Sequence, residues 1–215
     1  MTLEPQNSRP ARGRPRRTEA EAAELRARIT QAARDLFARS GYEGVSMRKL
    51  ADMAGCAPAA LYSVFPSKRA VLHVVWEGVF ADLAARLGTT AKTHVEPVAR
   101  LKALGIAMTQ FWLERPDDFR AIFLIEDQPA GGDDAYFATT SPAVGNLALI
   151  ETAAADAIAR GDLAAGHPAQ VTNALLAAVN GLALNLVTIP EYDWGDASVT
   201  VEATISALIG GFAGR

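Results

Sequence analysis

The sequence predicts an all-α chain, and three observations lead there. Half of the 215 residues are hydrophobic, and Ala, Leu and Ile recur at the three- and four-residue spacing of a helical stripe. Runs of alternating Val, Thr and Tyr, the pattern of half-buried strands, are scarce. Proline opens several of the helical patterns, at the first-turn position where its fixed φ is favourable and its missing N–H does no harm.

Taken in order, residues 1–17 hold three prolines and five arginines with almost no apolar side chains, the composition of a disordered basic arm. A first helix then begins: Thr18 caps it, Glu19 and Glu21 suit its first turn, and Leu25, Ile29, Ala32, Leu36 and Phe37 form one stripe up to a stop at Gly41. Ser46 caps a short second helix carrying Leu50, Ala51 and Met53 inward, and Gly55 fits the turn that follows. Pro58 opens a third, with Leu61, Tyr62 and Phe65 on its buried face and Pro66 after it. From Pro66 or Ser67 a long helix carries Leu72, Val75, Trp76, Val79, Phe80, Leu83 and Leu87, with Gly88 as its expected end. Further helices are expected over 97–113, 116–126, 142–160, 168–188 and 198–212, and the connectors EDQPAGGDD and PEYDWGDA read as loops.

The net charge of -3 hides an asymmetry, because residues 1–88 sum to +5 and residues 89–215 to -8. A basic first part beside an acidic remainder points to a polyanion, nucleic acid first, bound by the N-terminal part alone. Cys56 is the sole cysteine, which excludes an internal disulfide and a cysteine-based structural zinc site and favours a reducing cytoplasm. The start lacks the apolar core of a signal peptide, and Asn180 and Asn185 interrupt the most apolar later stretch, so a cytoplasmic, non-membrane protein is expected. His73, His94 and His167 lack a metal-binding spacing, and no nucleophile or acid-base pair stands out. No enzyme activity, cofactor or metal is therefore expected.

Two short helices joined at Gly55, braced by a longer one and flanked by basic residues, form a helix-turn-helix, whose later helix can enter a major groove. The string GYEGVSMRKLADMAGCAPAALYSVFPSKRAVL resembles the DNA-binding domain of TetR/AcrR-family transcriptional regulators almost position by position. The resemblance is tight over about residues 22–80 and mainly architectural beyond. It implies that the first helix braces the next two and that the third lies in the groove. It also implies that Ser46 and Tyr62 hold phosphate, that Lys68 does so at the start of the fourth helix, and that Arg48 reaches a guanine edge. For Arg48 the alternatives are a phosphate contact or plain solvation. The third helix departs from the family pattern: Ala57, Pro58, Ala59, Ala60 and Val64 offer methyl contacts, with Ser63 as a hydrogen-bonding group, so shape and apolar fit should dominate readout. In the arm, RGRPRR resembles minor-groove hooks, with Arg14, Arg16 and Arg17 as the contacting residues; a nonspecific electrostatic tail is the alternative.

The segment FWLERPDDFRAIFL resembles the regulatory domains of the same family, which hold a small-molecule pocket. The candidates here are Trp76, Phe80, Met108, Phe111, Trp112, Phe119, Phe123, Tyr136 and Phe137, with Gln110, Asn146, Asn180 and Asn185 as polar members. Two apolar stripes, Val171, Leu175, Val179, Leu182 and Leu186 on one helix and Ile205, Leu208, Ile209 and Phe212 on the last, suit a subunit interface or the monomer's own core. The resemblance implies that these two helices build a homodimer. The expected organisation is an arm at 1–17, a helix-turn-helix DNA-binding domain at 18–66, a connecting helix at 67–88 and a larger helical domain for ligand binding and dimerisation at 89–215. The expected function is a repressor that an apolar or amphipathic effector releases from its double-stranded operator.

Overall fold

The computed structural model describes residues 18–126, 135–145, 147–164 and 166–214. Among them the chain forms eleven helices and no strand beyond an isolated bridge between Leu163 and Ala213. The first helix, α1 (Glu19–Ser40), starts in a reciprocal cap: the Glu21 N–H donates to Thr18 Oγ1 at 3.3 Å and the Thr18 N–H to the Glu21 carboxylate at 2.8 Å. Two of the four backbone donors that a helix start leaves over are thereby satisfied. It stops at Gly41, whose φ of 64° lets its N–H turn back to the Phe37 carbonyl.

Helices α2 (Met47–Met53) and α3 (Pro58–Tyr62) follow, capped by Ser46 and led by Pro58 as their sequences predict. Then α4 (Lys68–Thr93) runs from the Ser67 cap through Gly88 without a break. The expected stop fails because Gly88 keeps ordinary helical geometry. An internal glycine costs only about 0.5–1 kcal/mol relative to alanine, which burial of Leu83 and Leu87 outweighs.

The regulatory part consists of α5 (Pro97–Glu114), α6 (Pro116–Phe123), α7 (Phe137–Thr140), α8 (Pro142–Gly145), α9 (Ala148–Ala159), α10 (Pro168–Thr188) and α11 (Ala197–Gly211). The single helix expected over 142–160 is two. The Ser141 hydroxyl accepts the Val144 N–H and donates to the Glu77 carboxylate of α4, fixing α8 as one turn before α9 begins. At the far end α11 starts one residue earlier than expected, because Asp196 takes the cap and accepts the N–H groups of Ser198 and Val199.

Helix α5 lies at the centre, packed against α4, α9, α10 and α11. Its approach to the last two is close at Gly105, where a Cβ would stand 2.7 Å from Leu175 Cδ1 and 3.1 Å from Ile205 Cγ2. The small head formed by α1 to α3 shares one continuous apolar core with this bundle, through contacts of α1 with α4 and α6. By length and composition α10 is apolar enough to cross a membrane. It is packed instead against α5, α9 and α11, with 28% of its most apolar window buried.

Candidate nucleic-acid interface and regulatory core

The turn between α2 and α3 is built by local chemistry. Gly55 adopts φ 64°, its N–H donates to the Asp52 carbonyl at 3.2 Å, and the Cys56 N–H reaches the Ala51 carbonyl at 2.9 Å. Leu50, Ala51, Leu61 and Phe65 are buried beneath. From α1, Arg26 lies over the Phe65 ring at 4.5 Å and donates to the Val64 carbonyl at 3.4 Å, holding the end of α3 against α1. The opposite surface presents Ser46, Arg48, Ala57, Pro58, Ala59, Tyr62 and Ser63, all exposed.

Ser46 serves its helix, accepting the Lys49 N–H at 3.2 Å. Arg48 projects from the exposed face of α2, and Tyr62 is 55% exposed, so its ring is not the core aromatic that a buried position would have made it. Ser63 donates to the Ala60 carbonyl at 2.7 Å. Ala60, Val64 and Cys56 lean partly on the core, and Val64 lies beyond the end of α3, which leaves it the least available of the expected contacts. Lys68 is turned away from this surface: its ammonium donates to the Tyr42 carbonyl at 3.0 Å and sits over the Tyr42 ring at 3.8 Å. The Tyr42 carbonyl takes one of the three N–H donors of the ammonium. Arg14, Arg16 and Arg17 lie outside the described residues.

Eight of the nine apolar residues expected to form a pocket come together. Trp76 meets Phe137 at 5.2 Å between ring centroids, Phe137 meets Phe80 at 5.8 Å, Phe80 meets Trp112 at 6.1 Å, and Trp112 touches Phe111 at 4.9 Å and Phe123 at 5.4 Å. Met108 is buried one turn before Trp112. The rings meet one another directly, a closed aromatic core rather than an open cavity. Phe119 joins it through Trp112 and Phe123, whereas Tyr136 is 59% exposed and stands outside it. Two polar atoms in this part are buried without a hydrogen-bond partner, Trp112 Nε1 and Asn180 Oδ1, each costing about 1–3 kcal/mol. Asn146 lies outside the described residues.

A separate cleft of about 1180 Å³ opens where the end of α1, the start of α4 and the end of α6 meet, lined by Phe37, Tyr42, Lys68, Leu72, His73 and Ile125 among others. It contains none of the residues expected to form the pocket.

Sequence reasoning missed the link between head and bundle. Arg34 of α1 donates two hydrogen bonds to the Asp118 carboxylate of α6, at 2.8 and 2.5 Å. That pairing raises the Arg34 pKa above its ordinary value despite partial burial. Arg115 stands 3.9 Å from the same carboxylate and 2.7 Å from Asp82 of α4, so one ionic network ties three helices. No local pattern could have disclosed the Arg34–Asp118 pair, since the two lie 84 residues apart in sequence.

Five of the residues expected at the subunit interface are also relocated. Val171, Leu175, Val179, Ile205 and Ile209 are fully buried within the single chain, where α10 and α11 pack on α5 and α9. Leu182, Leu186, Leu208 and Phe212 remain partly exposed.

Comparison with known proteins agrees with this arrangement. Residues 29–75 match the model of bacterial regulatory proteins of the tetR family. The HTH-type transcriptional repressor KstR of Mycobacterium tuberculosis is 36% identical over 78 residues, a match spanning 36% of this chain and 36% of KstR, about a third of that relative's length. The fold extends over nearly the whole chain in solved structures. A protein of unknown function from Rhodococcus sp. RHA1 superposes with a TM-score of 0.73 at 23% identity, over 88% of this chain and 95% of its own. The regulator FadR of Bacillus subtilis, in complex with stearoyl-CoA, superposes with a TM-score of 0.71 at 14% identity, over 86% and 98%.

Proposed function

We propose, from the match of residues 29–75 to the tetR family of bacterial regulatory proteins and the likeness to KstR, that the chain is a TetR-family regulator: a cytoplasmic repressor that binds an operator as a dimer and leaves it when an apolar or amphipathic effector enters the aromatic core. Members of this family are transcriptional regulators rather than enzymes. The observation that carries the reading is that α4 and α6 each serve both ends. Helix α4 begins beside the head at Lys68 and reaches the ring cluster at Trp76 and Phe80; α6 bonds to α1 through Asp118 and enters the cluster through Phe119 and Phe123. Rings that part to admit a ligand therefore move the two helices that hold the head, and a ligand favouring that state weakens DNA binding.

On the DNA side, the N-terminal ends of α2 and α3 face the duplex. Ser46 and Tyr62 hold phosphate, Arg48 reads a base edge, and Ala57, Pro58, Ala59 and Ser63 follow the groove wall, with Ala60 and Val64 contributing shape. Lys68 joins at the start of α4 through an N–H that Tyr42 does not take. Residues 18–66 then act as the DNA-binding unit, 67–88 as the connection and 89–215 as the regulatory and dimerising part, with 1–17 as a basic arm. A repressor relative supports the sign of regulation, and an acyl-CoA bound to a protein of this fold supports an amphipathic effector.

Selection of bound sequences from random DNA tests the reading. An inverted repeat with half-sites about one helical turn apart is expected. Enrichment of no sequence, with binding governed by salt alone, would replace a specific regulator with a general DNA binder. Long-chain acyl-CoA titrated onto the selected operator then measures release.

A further inference from the structure

Trp112 is completely buried, yet its indole N–H has no acceptor. Indole nitrogen is a donor only, and no protein group accepts from it. Trp76 and Trp194, the other two tryptophans, are satisfied, donating to the carbonyls of Ala121 at 2.8 Å and Ile189 at 2.9 Å. A phenylalanine at 112 would fill an aromatic cluster without leaving a donor unmet. Trp112 therefore presents a buried donor of this ring cluster that is open to an acceptor.

Its surroundings define what that is. Phe80, Phe111, Phe119 and Phe123 surround the indole at angles of 64–90°, all uncharged. An ionised ligand would lose its hydration there; the cation over the Phe111 ring, Arg115 at 4.6 Å, is already paired with Asp82 at 2.7 Å, so the match is a neutral one. Phe123 closes α6 and is 38% exposed, which makes it the ring with the shortest way out.

We propose that Trp112 is the specificity-determining contact for the effector, and that the effector is a neutral, largely apolar molecule carrying a carbonyl-type acceptor. It displaces Phe123 and accepts the Trp112 N–H. This rests on the ligand-gated reading above and adds the chemical class. A hydrocarbon of the same shape gains the apolar burial but leaves the donor unmet, so the site discriminates by hydrogen bonding where shape alone cannot.

The test uses linear, cyclic and aryl ketones, each paired with the alkene in which CH2 replaces the carbonyl oxygen; methyl nonyl ketone and acetophenone are two of the set. Binding is read by the indole N–H resonances of the full-length protein, with the Trp112 signal identified by its loss in Trp112→Phe. At least one ketone should move that signal downfield and bind about ten-fold more tightly than its alkene. Trp112→Phe should abolish the preference while the folded chain still binds operator. Equal affinity within every pair, or a preference that survives Trp112→Phe, overturns the assignment and leaves the ligand-gated reading standing. A Trp112 signal already shifted upfield by a neighbouring ring face, and unmoved by any ketone, overturns it too. If neither these compounds nor acyl-CoA bind or release operator, the assignment falls together with the reading on which it rests.

Discussion

Arg48 concentrates the question of how this head tells one DNA sequence from another. It stands two residues after the Ser46 cap, on the exposed face of α2, while the third helix offers mostly methyl groups at Ala57, Pro58 and Ala59. Among these groups only a planar guanidinium can make two parallel bonds to a guanine edge. Arg48→Ala is expected to lose discrimination at one base pair per half-site, by about 1–3 kcal/mol, in competition between operator variants. Equal weakening across all sequences would assign the side chain to phosphate. Asp196 supports a second residue-scale prediction. Hydrogen bonds from the Ser198 hydroxyl, then from the Ser198 and Val199 N–H groups, hold its carboxyl pKa below the ordinary value. A carboxylate with a depressed pKa stabilises the fold above its unfolded-state pKa, and that contribution fades as pH falls through the folded one. The melting-temperature gap between the native chain and Asp196→Ala should thus be widest near neutral pH and close in acid. A gap independent of pH would assign the cap to geometry rather than charge. Residues whose roles are set by neighbours three or four positions away, such as Thr18, Ser46, Gly55 and Pro58, could be read from the sequence alone. Arg34 and Asp118 could not, because only the packing of α6 on α1 brings them within 2.8 Å.

At the scale of elements, α6 is the piece that sequence patterns placed but could not explain. Its eight residues point in three directions. Asp118 bonds Arg34 of α1, the Ala121 carbonyl accepts the Trp76 indole of α4, and Arg120 donates to the Val187 carbonyl of α10. Phe119 and Phe123 occupy its ring face. An element so short has little helical stability of its own, so its position is set by these contacts. Asp118→Asn removes the charge but keeps the shape. Since Arg34 is about one-third exposed and can regain water, the cost in stability should be modest, about 1–2 kcal/mol. The expected larger effect is on coupling: operator binding persists, while the effector loses most of its power to release DNA. If release stays normal in Asp118→Asn, transmission runs through α4 alone. Helix boundaries failed in the same region for a related reason. Gly88 and the 142–160 segment obey tertiary packing, through Leu87 and through Ser141 bonded to Glu77, which outweighs the local signals at those positions.

For the whole molecule, the apolar stripes of α10 and α11 show how the sequence mixes two surfaces that the fold separates. Val171, Leu175, Val179, Ala183 and Val187 recur every fourth residue and are buried by the chain's own helices, as are Val201, Ile205 and Ile209. The opposite side of α10 still carries no charged residue in its 21 positions, and α11 carries only Glu202. Asn173, Ala177, Gly181, Leu184, Val199, Ala203, Ala207 and Gly210 are exposed in the single chain. Two adjacent helices this poor in charge form an outer surface that water covers badly, and their small side chains allow another helix pair to approach closely. A second copy of the chain fits, since a two-fold contact needs one self-complementary patch, and two heads are required to read two half-sites. The informative substitutions are those that leave the monomer intact. Gly181 has open space around its Cβ position and Ala207 is exposed, so Gly181→Arg with Ala207→Arg should keep helical content and melting behaviour. In a two-fold contact the added charges meet their own copies and repel. Sedimentation should then give half the native mass, and operator affinity should fall far more than binding to a single half-site. A double variant that keeps the native mass would move the dimer contact away from these faces, and a native chain that sediments as a monomer would remove it altogether.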